Sequence, residues 1–227
     1  MTSRVFQERL ARRAKRAGVQ VSPQLGEQLE AYFRLLSTWN QKINLTALNL
    51  TDLGPETVDR LLIEPLVAAR HVPTTVEKMM DVGSGSGSPA IPMALALPSI
   101  HLLMVESKTR KSVFLREAIR AVGLASADVA TARFEELLTR PEFHEAHHLV
   151  TIRAVRVEPR ILTTLQAFLR PGGWMYLFRG PAPGALSETV TPPMTWSATY
   201  PLTEAHGSHL VVLQKRAAPA LRRSAIT

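Results

Sequence analysis

The sequence predicts a doubly wound α/β protein with a small helical part in front of the sheet. Three observations carry this. From Val76 onward, short apolar runs alternate with helical patterns, the mark of a mostly parallel sheet covered on both faces. Before residue 76 the apolar spacing is helical throughout. At the first change of rhythm stands Met80-Asp81-Val82-Gly83-Ser84-Gly85-Ser86-Gly87-Ser88-Pro89-Ala90-Ile91-Pro92, a glycine loop between a strand and a helix. In open parallel sheets such loops border the ligand site.

The elements follow in order. Residues 1–20 carry Arg4, Arg9, Arg12, Arg13, Lys15 and Arg16 against one acid, Glu8, so a basic, partly helical arm is expected. Ser22 as N-cap and Pro23 at the first helical position start the next helix. Its buried face is Leu25, Leu29, Tyr32, Phe33, Leu36 and Trp39. Another helix is expected from Pro55 to His71, bent or split at Pro65. Strands are predicted at 77–82, 100–106, 127–132, 148–152, 173–179, 195–201 and 208–214. Helices are predicted at 89–97, 108–122, 134–139 and 158–170, with Pro171-Gly172-Gly173 as a turn into a strand. The last two strands have no helix between them and should pair antiparallel. The expected division is a basic arm and helical subdomain at 1–75, a ligand-binding domain at 76–216 and a frayed tail at 217–227.

Composition narrows the function. The chain is 45% apolar and 20% charged, as expected of a soluble globular protein. No apolar run is long enough to span a membrane, and no apolar segment follows the basic N-terminus as in a secretory signal. A cytoplasmic protein is expected. There is no cysteine, which excludes disulfides, thiolate metal sites and cysteine nucleophiles. The net charge of +8 and pI near 10.4 suit a polyanionic partner, nucleic acid or an anionic membrane, or simply a basic soluble protein.

The loop admits three cofactor readings. A phosphate-cradling P-loop needs a lysine after its last glycine, and none is present. A dinucleotide fingerprint needs glycine where Ser88 stands. The chain has instead G-x-G-x-G at Gly83, Gly85 and Gly87, with Asp81 two residues earlier. A carboxylate there repels a pyrophosphate but suits a cofactor with a cationic amino-acid end. S-adenosylmethionine is such a cofactor, with an ammonium, a sulfonium and no phosphate. Glu106, closing the second predicted strand, stands where a carboxylate receives ribose hydroxyls. That contact fits either kind of nucleoside cofactor. The competing reading is a surface glycine turn with two unconnected acids.

For a methyl acceptor, chemistry eliminates some choices. Cytosine C5 methylation needs a cysteine nucleophile. The motif usual for amino-group methylation does not occur after the fourth strand, which reads Val150-Thr151-Ile152-Arg153-Ala154-Val155. Hydroxyl methylation needs a base or metal, and no acidic cluster stands there. Guanine N7 has a free lone pair and no proton to remove, so alignment and desolvation suffice. Arg153, at the carboxyl end of that strand, is a candidate for contacting a guanine or a phosphate. The alternative is a surface arginine or helix cap.

Together these residues resemble the GidB/RsmG family, bacterial methyltransferases of guanine N7 in small-subunit ribosomal RNA. The resemblance spans roughly residues 25–215. Trp39-Asn40-Gln41-Lys42-Ile43-Asn44-Leu45-Thr46 is similar to the family's W-N-x-x-x-N-L-T, and Asp81 to Pro92 to its D-V-G-[ST]-G-x-G-x-P-G-I-P. Glu106-Ser107, Arg110-Lys111 and Phe114-Leu115-Arg116 are similar to D-S-x-x-K-[RK]-x-x-F-L-R, and Arg133-Phe134-Glu135-Glu136 to R-x-E-E. Arg153-Ala154, Pro171-Gly172-Gly173, Phe178-Arg179-Gly180 and His209-Leu210-Val211-Val212 complete the ordered set.

The resemblance implies a class I (Rossmann-like) methyltransferase sheet, S-adenosylmethionine as cofactor, and small-subunit ribosomal RNA or a ribosomal particle as partner. No metal is expected, and a monomer is. It places Gly83 and Ser88 on the cofactor loop, Phe134 and Glu135 beside the adenine, and Arg153 near cofactor or acceptor. Arg133 and Arg179 become candidates for phosphate or base contacts. Departures from the pattern are Ser88, Ala90, His148, Ile152, Arg179 and Leu61-Leu62-Ile63-Glu64-Pro65 in place of H-x-L-D-S. Most are expected on the acceptor side. A non-catalytic RNA-binding or assembly factor on the same fold, and a methyltransferase for another RNA site or a small molecule, are the alternatives. Trp39 is read as core, and His144, His147 and His148 as a solvated loop rather than a metal site.

Overall fold

The computed structural model describes residues 2–153, 159–180, 190, 192–203 and 206–217. Seven strands form one sheet: β1 (Lys78–Val82), β2 (His101–Glu106), β3 (Ala127–Thr131), β4 (His147–Arg153), β5 (Leu169–Arg179), β6 (Met194–Thr203) and β7 (Ser208–Lys215). Their order across the sheet is β3-β2-β1-β4-β5-β7-β6. Strands β1 to β5 run parallel, and β7 is antiparallel to both β5 and β6. All seven predicted strands are present, and the final pair is antiparallel as expected. Strand order reverses at β1, which lies between β2 and β4, so a crevice opens beyond their carboxyl ends.

Side chains alternate between the two faces of the sheet, which divides the core in two. Met79, Leu102, Met104, Leu149, Tyr176 and Leu210 face the N-terminal helices together with α5 (Ala90–Ala96) and α6 (Thr109–Val122). Met80, Val82, Val150, Ile152, Met175 and Leu213 face α7 (Phe134–Leu137) and α8 (Pro159–Leu165). The central strands therefore read as nearly continuous apolar runs.

The N-terminal residues form a docked helix rather than an arm. In α1 (Ser3–Arg16) Phe6, Leu10 and Ala14 are buried at helical spacing. Arg13 pairs with the buried Asp59, its Nε 2.7 Å from Oδ1, and Arg9 donates to the carbonyls of Asp52 and Leu53. With Arg4 paired to Glu8 at 2.8 Å, three of the six cations have partners within the chain, two of them in other segments. Helix α2 (Pro23–Asn40) begins as expected, with Ser22 accepting from Leu25 N. Its aromatic residue Trp39 is half-buried, edge-on to Phe114.

The third helical stretch shows what Pro65 does. Helix α3 (Pro55–Val58) passes into a π-helical turn (Asp59–Ile63) and then α4 (Glu64–Ala69). Pro65 has no N–H for the Leu61 carbonyl, and the Glu64 N–H reaches back to Asp59. The carbonyls of Arg60 and Leu61 are left for other donors.

Two sequence expectations are corrected. Helix α8 stops at Leu165, one 3₁₀ turn follows, and β5 starts at Leu169 rather than 173. Pro171-Gly172-Gly173 is a bulge inside that strand, since His147 pairs with Leu169 and Leu149 with Trp174. Gly172 sits there at φ +81. Of the three histidines expected in a solvated loop, His144 lies in an exposed turn, whereas His147 and His148 open β4 and His147 is buried. His148 faces Arg170 at the far end of β4 from Arg153, away from the acceptor side. Residues 154–158 and 218–227, including Ala154 and most of the expected tail, lie outside the described residues.

Candidate active site

A cleft of about 780 Å³ opens at the switch point. One wall is the glycine loop, represented by Gly83, Gly85 and Ser88. The other is the segment from Leu45 to Leu61, and Arg153 and Lys111 complete the lining. This volume lies within the range of about 300–1,000 Å³ usual for small-ligand sites.

The loop turns on left-handed glycines, φ +73 at Gly83, +48 at Gly85 and +85 at Gly87. Gly87 is needed for packing as well, because a Cβ there would lie 2.7 Å from Ile91 Cδ1. Two side chains from outside hold the loop. Tyr32 of α2 donates to the Ser86 carbonyl at 2.8 Å, and Glu106 Oε2 accepts from Gly85 N at 3.0 Å. The other Glu106 oxygen accepts from Lys108 N at 2.8 Å. Each oxygen keeps a further lone pair.

Asp81 lies beneath the loop, buried, accepting from Thr151 Oγ1 at 2.6 Å. Burial raises its pKa, opposed by the Thr151 and Ser84 hydrogen bonds and by Arg153. It does not line the cleft, so its charge acts from below. Ser88 donates to the Leu61 carbonyl at 2.9 Å, the one freed by Pro65.

Arg153 reaches the cleft floor with its guanidinium engaged. Nη2 meets Glu64 Oε2 at 2.7 Å, Nη1 donates to the Arg60 carbonyl, and Ser88 Oγ lies 3.4 Å away. The guanidinium carbon sits 4.5 Å from the centre of the Phe178 ring. Desolvation lowers its pKa, with Glu64 opposing. Glu64 also accepts from Ser208 at 2.6 Å. The π-helical turn and the Glu64 that follows it thus link the N-terminal part to the glycine loop after β1, to β4 and to the β6–β7 end.

Of the expected site residues, Gly83, Gly85, Ser88 and Arg153 share the cleft. Asp81, Gly87 and Glu106 support it from below or beside. Arg133 is exposed at the N-cap of α7, with half-buried Phe134 and exposed Glu135 after it; none of the three lines the cleft. They follow β3, whose Thr131 pairs with Glu106, so they border the same rim. Sequence reasoning missed Tyr32, Glu64, Arg60 and Thr151. Tyr32 reads as an ordinary core position, and only Pro65 hinted that the Arg60 and Leu61 carbonyls were free. Among the described residues no group of three or more His, Asp or Glu could hold a metal ion, and no helix is long and apolar enough to cross a membrane.

Comparison with known proteins bears on the family and the fold. The family described as GidB, rRNA small subunit methyltransferase G, matches residues 25–199. The ribosomal RNA small subunit methyltransferase G of Xylella fastidiosa is 36% identical over 192 residues, 83% of this chain and 86% of that protein. Its counterpart in Neisseria meningitidis is 29% identical over 214 residues, 92% and 98% of the two chains. Among solved structures, a SAM-dependent methyltransferase from Aquifex aeolicus superposes with a TM-score of 0.54 at 10% identity, over 71% of this chain and 94% of that one. At that identity the likeness shows the fold alone.

Proposed function

Because the chain belongs to the rRNA small subunit methyltransferase G family, we propose that it transfers a methyl group from S-adenosylmethionine to N7 of a guanine in small-subunit ribosomal RNA. The observation that supports this most is the cleft between the glycine loop and segment 45–61, at the sheet's switch point.

The residues present fit the cofactor. Glu106 has acceptor capacity for ribose hydroxyls, and buried Asp81 makes the loop region unsuited to a pyrophosphate. In this reading Gly83, Gly85 and Ser88 hold the amino-acid end, Gly87 keeps the loop in shape, and Phe134 and Glu135 border the adenine. When bound, S-adenosylmethionine supplies an electrophilic methyl group and a neutral thioether leaving group.

The chain's own residues orient and desolvate. Guanine N7 attacks with a lone pair, so no side chain has to remove a proton. Segment 45–57 forms the acceptor-side wall, shaped by Asn40, whose carboxamide oxygen accepts from Leu45 N and Thr46 N at 2.9 and 3.0 Å. Arg153 acts as a positioning residue that ties this wall to the loop. Lys111 and Arg60 offer positive charge at the cleft mouth to an RNA phosphate. Arg133 serves at most on the rim. The part before residue 76 thereby serves the acceptor and the part after it the cofactor, with deproteinised RNA or a ribosomal particle as partner.

The test is transfer of labelled methyl from S-adenosylmethionine to small-subunit rRNA by purified protein. Incorporation, together with loss of the cofactor's thermal shift in Glu106→Ala, supports the reading. A protein that binds neither cofactor nor RNA contradicts it.

A further inference from the structure

A second groove, of about 490 Å³, lies between the end of α1, the end of α4 and strand β6. Its charged lining is Arg13, Arg16, Arg70 and Asp59. Asp59 is buried and already matched by Arg13 at both oxygens, with His206 Nε2 3.2 Å from Oδ2. Arg16 is exposed, and its side chain has no hydrogen bond or ion pair to any described residue. Arg70, also exposed, gives one N–H to the Gly18 carbonyl and keeps its other donors. Between them, His71 and Tyr200 stack with ring centres 3.7 Å apart and planes 12° apart. Burial, helped by Arg70, pushes the His71 pKa down, which disfavours charge on that ring.

Two exposed guanidiniums with donors to spare beside an aromatic stack suit a phosphodiester backbone and its unpaired bases. The position points to the same polymer. Asp59 lines this groove while Arg60 and Leu61 line the methyl-transfer cleft, so the two lie on opposite sides of one π-helical turn. Arg12 and Lys15, exposed on the same helix, continue the positive track outward.

We propose that this groove docks the RNA strand on one side of the nucleotide that enters the cleft, with Arg16 and Arg70 holding its phosphates. This rests on the RNA-methyltransferase reading above and adds a binding surface to it. An acidic face of a ribosomal protein is the competing occupant. RNA is favoured because the groove adjoins the cleft across a single helical turn.

The experiment compares the wild type, Arg16→Ala/Arg70→Ala and a charge-matched control, Arg120→Ala/Arg140→Ala, both control residues being exposed and outside the two cavities. Arg16→Ala alone is included because that side chain has no internal partner to lose. Binding of unmethylated small-subunit rRNA is read by fluorescence anisotropy over a salt series. KM for deproteinised RNA and for small-subunit particles is read in the transfer assay. The groove variant should raise Kd and RNA KM about 10- to 50-fold and lower the salt slope by about 1.4, the single-strand value for two contacts, with kcat at saturating RNA and the cofactor's thermal shift unchanged. Equal losses in the control, or no change in the groove variant, overturn the proposal. So does a KM rise confined to particles, which assigns the groove to a protein. If the wild type transfers no methyl, the methyltransferase reading fails, while the anisotropy arm still decides the docking proposal.

Discussion

Glu64 and Arg153 form an ion pair 2.7 Å long across the base of the cleft, with side chains only 3% and 14% exposed. It joins the helix before the sheet to the carboxyl end of β4. A buried pair adds little net stability over an apolar replacement, yet breaking it leaves a charge without its counter-ion.

Glu64→Ala is therefore expected to cost about 3–5 kcal/mol in urea unfolding. The double variant Glu64→Ala/Arg153→Met should recover part of that loss, because no unpaired charge remains. If Glu64→Ala unfolds like the wild type, the pair is not what secures this end of β4.

The loop glycines should differ in cost. Gly85→Ala meets only the Gly83 carbonyl, at 3.7 Å, and suffers backbone strain of about 1 kcal/mol. Gly87→Ala adds a 2.7 Å approach to Ile91 and should cost about 2–3 kcal/mol, measured by thermal unfolding without cofactor. The reverse order would contradict the packing role assigned to Gly87.

Tyr32→Phe removes the hydrogen bond to the Ser86 carbonyl and little else. A net bond of about 1 kcal/mol implies roughly five-fold weaker cofactor binding if Tyr32 holds the loop ready. Calorimetric titration with S-adenosylmethionine checks this; an unchanged Kd means the loop is set without Tyr32.

These residues show where the sequence was legible. The rhythm after Val76 marked all seven strands, because a sheet covered on both faces needs apolar runs of strand length. Gly83 to Ser88 were visible as a turn, since only glycine adopts that backbone freely. Partnerships over long separation were not legible. Nothing in the spacing of Tyr32, Glu64 or Thr151 says that they meet Ser86, Arg153 and Asp81. Arg153 reads as a guanine or phosphate contact, or as a surface arginine, from its place at a strand end beside the crevice; its partner Glu64 lies in another element and leaves no mark in the spacing. The cations of residues 4–16 suggested an arm, while the decisive signal was the weaker one, Phe6, Leu10 and Ala14 on one helical face.

His147 predicts a pH effect on stability. Burial pushes its pKa from 6.5 down to about 4, opposed by a backbone hydrogen bond at Phe168. The native state keeps the ring neutral where the unfolded chain already binds a proton. The contribution is intact above about pH 6.5 and is lost as pH falls toward 4, with a limit of about 3 kcal/mol. His147→Gln should flatten the stability profile across that window relative to the wild type. Parallel profiles would show that His147 is not the titrating group.

The most direct test maps the methyl group on the RNA. Small-subunit rRNA methylated by the purified protein is reduced and treated with an amine, which breaks the chain at N7-methylguanine because its ring carries a fixed positive charge. The account predicts a single new scission, at a guanine, that depends on S-adenosylmethionine and disappears when Glu106→Ala replaces the wild type. Label incorporated at another atom or base, or no scission despite bound cofactor and RNA, would contradict it.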